Sequence, residues 1–229
     1  MTFKTLSAAW FAAIFIAQST QAQISSPTSS DRIAGPEPVT PALEARQRLG
    51  DLRVDGRLDE EAWLRTPMVS GFVQGEPIEG APAEEQTEVR VLFDDQALYV
   101  GVILYEADPG RIGDQLVRRD AEGQYDYFEI SIDPNNDRRT GYLFRVSAAG
   151  VQRDVYLYDD TRTDANWDAV WESAVSRRPD GWSVELRIPL SQIRYDPSDA
   201  VQSWGINFKR SRVAVSHLTS HISRLDGLN

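Results

Sequence analysis

The chain of 229 residues contains no cysteine. Disulfides, thiolate metal ligands and a lipid-anchored N-terminal cysteine are therefore excluded, and an exported domain of this size has enough core to fold without cross-links. There are two histidines, His217 and His221, both near the C-terminal end, so the long central stretch has no imidazole to act as a base. The sequence offers neither a Gly-x-Ser-x-Gly elbow nor a phosphate-cradling glycine loop. No helix-period segment is long enough to cover a parallel sheet, which argues against βαβ units. Positive charge is also in short supply, with 24 Lys and Arg against 35 Asp and Glu and a formal charge of −11. A phosphate backbone would be repelled, so nucleic acid is excluded as a partner.

The N-terminus reads as a targeting segment. Lys4 precedes an apolar stretch from Leu6 to Ala17, and Thr20-Gln21-Ala22 place small residues at −3 and −1 before Gln23. Roughly twelve apolar residues suit a secretory signal better than a membrane span, so residues 1–22 are expected to direct export to the periplasm or outer membrane, with an uncleaved anchor as the alternative. Residues 23–50 are rich in Ser, Pro, Thr and Ala, and Pro27, Pro36, Pro38 and Pro41 oppose regular structure; they read as a linker with one frayed helical turn around Leu43 to Leu49.

From Leu52 onward, short alternating apolar runs are separated by turn clusters, the pattern of an all-β domain. Strands are expected at Val69–Val73, Val89–Asp94, Leu98–Glu106, Tyr127–Asp133, Tyr142–Ser147, Gln152–Tyr158, Val170–Arg177, Trp182–Pro189 and Trp204–Val213, with a helical turn at Leu190–Ile193. About nine or ten strands joined by hairpin turns imply an antiparallel β-sandwich of jelly-roll type over residues 51–215. Phe128, Ile130 and Ile132 would face inward and Tyr127, Glu129 and Ser131 outward. Residues 216–229 are weakly patterned and read as a tail, the possible start of a further, truncated region.

The run Asp55-Gly56-Arg57-Leu58-Asp59-Glu60-Glu61-Ala62-Trp63 combines a turn, a helix start capped by Asp59 and a buried anchor at Trp63. It resembles the opening signature of the family 9 carbohydrate-binding modules. Thr87–Asp95 with Ala97–Val102, Arg119-Asp120, Asp126–Ile130, Ile132–Pro134, Gly181–Leu190 and Trp204–Arg210 are similar to later motifs of that family, in the same order. The resemblance implies a β-sandwich that binds poly- or oligosaccharide without catalysis. It also implies a possible structural calcium and, in many bacterial relatives, a neighbouring outer-membrane β-barrel.

Candidate ligand residues follow from sugar chemistry. Flat apolar faces match the C–H face of a pyranose, and Trp167 and Trp171, four apart, would share one face if the segment is a strand. Asn166, Asp120, Asp126, Asn207 and Arg210 are the candidate hydroxyl partners, and Arg145, Arg153, Glu129 and Lys209 are further polar candidates. Each tryptophan has a plainer reading as core. Asp133–Asp137 and the set Asp159, Asp160 and Asp164 supply oxygens of the kind calcium takes, although the first reads primarily as a turn. His217 and His221 could ligate a metal only if they shared a helix. No catalytic residue is assigned: a glycosidase needs two carboxyls about 5–5.5 or 6.5–9.5 Å apart. Asp126 and Glu129, three apart on a strand, would face opposite sides, which leaves Asp120 with Glu129 as the open pair. The readings in order are a carbohydrate-binding module serving carbohydrate catabolism, a structural or gating domain of a membrane barrel, and a glycoside hydrolase.

Overall fold

The structure, a computed structural model, describes residues 42–159, 162–196, 198 and 201–228. The expected signal segment, the linker up to residue 41, and Asp160 lie outside the described residues. In chain order the elements are β1 (Ala42–Glu44), β2 (Arg46–Gln47), α1 (Glu61–Leu64), β3 (Val73–Glu76), β4 (Thr87–Phe93) and β5 (Ala97–Tyr105). They continue with β6 (Tyr127–Asp133), β7 (Gly141–Ser147), β8 (Gln152–Tyr158), β9 (Arg162–Asp164), β10 (Glu172–Arg178), β11 (Gly181–Pro189), β12 (Gln202–Arg212) and β13 (His217–Leu228).

Two sheets form. The first runs β1-β13-β12-β6-β7-β8-β9 with β3 also paired to β13, and the second runs β10-β11-β5-β4-β2. Their inward faces share one core, in which Phe128, Ile130, Phe144 and Phe208 meet Val100, Val102, Trp182 and Val184. The period of two seen in sequence drives this, because burying every second side chain on each sheet removes most of the apolar surface from water. The expected sandwich is therefore present.

Some elements differ from expectation. The turn Leu43–Leu49 is replaced by β1 and β2, which pair parallel to β13 and β4, so the sheets are not purely antiparallel. Val69 makes only a single bridge to Val89, and the strand expected there begins at Val73. The largest difference is at the C-terminal end. Residues 217–228 are strand β13, inserted between β1 and β12 with Leu225 fully buried. Its apolar residues are sparse because its inward positions are partly polar (Thr219, His221 and Ser223), which hid it from a hydrophobicity pattern.

The Asp55–Trp63 run covers the outward face of the second sheet. Helix α1 is capped at Glu60 without a side-chain hydrogen bond, not at Asp59 as the residue type suggested. Trp63 is fully buried in a small second cluster with Leu92, Ala97 and Tyr99. Its Nε1 donates to Glu185 Oε1 at 2.7 Å, while Asp55 N and Gly56 N donate to Glu185 Oε2 at 2.8 and 2.7 Å. Gly56 has φ +86°, and a Cβ there would stand 2.6 Å from the Val175 carbonyl carbon, so only glycine lets the turn lie flat on β10. With the segment covering the second sheet, the outward face of the first sheet becomes the place to look for a site.

Candidate functional site

On the outward face of the first sheet, strand register lines up charged residues across four strands. Lys209 on β12 is opposite Glu129 on β6, Glu129 is opposite Arg145 on β7, and Arg145 is opposite Arg153 on β8. Arg145 Nε donates to Glu129 Oε2 at 2.7 Å, and Lys209 Nζ stands 3.8 Å from the other carboxylate oxygen. The Arg145 guanidinium lies over the Tyr127 ring at 4.1 Å and Lys209 Nζ is 6.0 Å from the same ring. Burial alone would lower the Arg145 pKa, but the Glu129 carboxylate opposes this and holds it above its ordinary value. Glu129 is thus a nearly buried acceptor fixed between two cations on a face that would ordinarily carry solvated charge.

Two residues before Lys209 on β12, on the same face, lies Asn207, opposite Ser131 and Ile222. Its Oδ1 is buried and has no hydrogen-bond partner, a cost that a ligand donor would relieve. The segment before β6 walls one side: Tyr125 packs edge-on to Tyr127 at 6.4 Å, and Glu122 reaches Arg145 Nη1 at 3.3 Å and also contacts Arg153.

The residues expected from sequence do not converge. Asn207 is on this outward face. Trp171 is only 6 % exposed, edge-on to Phe144, with Nε1 donating to Asp154 Oδ1 at 3.1 Å. That corrects its assignment as a stacking platform, because neither ring face is free. Asp154 is a buried hub: it also accepts Ala169 N at 2.7 Å and a guanidinium N–H of Arg119, and so pins the 167–171 loop to β8. Asp120 belongs to the same knot, 3.6 Å from Arg119 and accepting Asp154 N at 3.3 Å.

Trp167 remains half-buried, tilted on Tyr142 at 5.1 Å at the end of the sandwich, on the opposite side of the first sheet from Asn207. Asn166 is exposed beside it and donates to Asp164. Half-exposed Tyr156 and Tyr158 stack 6.1 Å apart nearby on β8.

Asp126 and Arg210 are corrected to structural roles. Arg210 is 1 % exposed and donates to Gln86 O, Thr87 Oγ1, Tyr105 O and Glu106 Oε2 at 2.6–3.2 Å, tying β12 to β4 and β5. Burial pushes its pKa down to about 10. Asp126 accepts Val213 N at 2.8 Å, and burial raises its pKa. Glu129, Arg145, Lys209 and Tyr127 were not among the leading candidates, since single charges on a strand look solvated until register is known. The signal available was their spacing at every second residue on strands whose other face is apolar.

The metal-binding expectations meet specific geometry. Asp133 accepts Asp137 N and Arg138 N, and Asp137 accepts Arg139 N and Thr140 N, so the carboxylates of that loop serve its turn. Among the described residues no three His, Cys, Asp or Glu side chains converge as a metal group. His217 and His221 lie four apart on β13, about 13 Å along a strand, too far to share an ion. His217 sits 3.2 Å from Glu84 instead.

The carbohydrate family 9 binding domain-like family matches residues 54–212. No curated protein matches the chain. Among solved structures it is similar to a family 9 carbohydrate-binding module from Caldicellulosiruptor kristjanssonii in complex with cellotriose, at 18 % identity and TM-score 0.56, covering 82 % of this chain and 95 % of that one. The glucose complex of a module from the same organism gives 20 % identity and TM-score 0.56, covering 82 % and 97 %. A Bacteroides uniformis protein described as carbohydrate-binding gives 12 % identity and TM-score 0.62, covering 82 % and 99 %. At these identities the likeness speaks to the fold alone, whereas the family match spans most of the chain: the protein belongs to the carbohydrate family 9 binding domain-like family.

Proposed function

We propose that this chain binds carbohydrate without catalysis, on the outward face of the first sheet around Glu129, Arg145, Lys209 and Asn207. The observation that carries the reading is the Lys209–Glu129–Arg145 row, a buried acceptor flanked by donors in a member of a carbohydrate-binding family. Sugar hydroxyls both donate and accept, and side chains already locked by one another lose little freedom when a ligand arrives. Glucose and cellotriose, the ligands of the similar modules, are the first probes.

The test is calorimetric titration of the full chain with both sugars, in calcium and in chelator. The expected result is saturable heat that Arg145→Gln weakens at least about tenfold, the value of a lost charged hydrogen bond. Heat that vanishes with chelator would support the structural calcium implied by the resemblance. A second reading places the sugar on Trp167 with Asn166, favoured by the half-exposed Tyr156–Tyr158 stack beside them. Under that reading Trp167→Ala, and not Arg145→Gln, abolishes the heat.

We further read the protein as exported to the periplasm or outer membrane and working in carbohydrate catabolism, a reading supported by Lys4 and the apolar stretch from Leu6 to Ala17. Folded protein that gives no heat with any glycan would favour a structural or gating role beside a membrane barrel. A hydrolase is disfavoured because the Glu129 carboxylate is already engaged by Arg145 and Lys209.

A further inference from the structure

The row on the first sheet does not end at Arg145. Arg145 and Arg153 stand directly opposite each other on β7 and β8, at a separation where like charges repel. Glu129 approaches Arg145 from the β6 side and is held by Arg145 and Lys209, with strand β7 standing between it and Arg153 on β8.

The anion that does reach both is Glu122. Its carboxylate lies 3.3 and 3.4 Å from Arg145 Nη1 and contacts Arg153 Nη1. Glu122 comes from the segment before β6, not from the sheet, and its side chain is 66 % exposed. The arginines are far less accessible, set into the face beside Tyr127 and Leu143. The arrangement is a fixed pair of guanidinium forks with an exposed, exchangeable carboxylate lying across them.

We propose that the glycan bound on this face carries a carboxylate, as a uronic-acid oligosaccharide does, and that this group replaces Glu122 between Arg145 and Arg153. Glu122 is then a built-in competitor that neutralises the arginine pair until an acidic sugar arrives. The chain's overall negative charge acts from a distance and is screened within about 8 Å at physiological salt, so the local arginines decide the outcome. The proposal rests on the reading that this face binds sugar, and it names the ligand class.

The test titrates the full chain and its Glu122→Gln variant with trigalacturonate and with cellotriose. Glu122 is exposed, and circular dichroism confirms that the variant is folded. The expected result is that the wild type prefers trigalacturonate, and that Glu122→Gln binds it about threefold more tightly, as removal of one exposed ion-pair partner should allow. Both trigalacturonate affinities should fall as salt rises. Arg153→Gln should lose the preference for the acidic sugar. Cellotriose bound more tightly than trigalacturonate, or a Glu122→Gln variant that binds trigalacturonate no better than wild type, overturns this inference and leaves the carbohydrate reading intact. No heat with either sugar from either protein overturns both.

Discussion

Glu185 shows how much the Asp55–Trp63 segment asks of one residue. Its carboxyl is fully buried and met by three N–H groups, from Trp63, Asp55 and Gly56. Burial pushes its pKa up to about 6, against the pull of those donors. A carboxyl raised in the folded state binds its proton more tightly there than in the unfolded chain. Its contribution to stability is therefore greatest below about pH 4.5 and declines as the pH climbs through about 6. The measurement is thermal unfolding of wild type and Glu185→Gln between pH 4 and 7. The stability difference, wild type minus variant, should shrink as pH rises across that window; a difference that is flat or grows would contradict the assignment. The turn and the anchor were legible from Asp55, Gly56 and Trp63 themselves. Their common acceptor was not, because Glu185 lies more than a hundred residues away and only strand pairing brings it under the segment.

At the scale of elements, strict alternation made β5, β6, β7, β8, β11 and β12 readable within a residue or two. Strands whose inward positions are polar, or that are only two or three residues long, were missed: β1, β2, β9 and β13. β13 matters most, since it pairs along the whole length of β12 and brings Leu225 and Leu228 into the core. A chain ended at Val215 should lose cooperative unfolding and aggregate, because β12 becomes an exposed edge beside an uncovered core. Circular dichroism and sedimentation of that shortened chain check the point, and a monomeric, cooperatively folding product would refute it. Its consequence for function is direct, because β12 carries Asn207 and Lys209 and loses its outer neighbour with β13.

For the whole molecule, the sandwich sorts residues that look alike in sequence. Glu129 and Lys209 point outward, Arg210 points inward and bridges the sheets, and Trp171 closes the core while Trp167 stays at its rim. The family was legible because its motifs run in order along the Asp55–Trp63 segment and strands β4, β5, β6, β11 and β12. The site was legible only in part: residue type singled out Asn207 and Arg210 equally, and a one-residue change of parity on one strand decides which can touch a ligand. The central claim, that carbohydrate is held on the outward face of the first sheet, is tested most directly by two-dimensional NMR of the isotope-labelled chain titrated with cellotriose and trigalacturonate. Saturable shifts are expected, clustered at Tyr127, Glu129, Arg145, Asn207 and Lys209. Shifts confined to Asn166 and Trp167, or no shifts with either sugar, would contradict it.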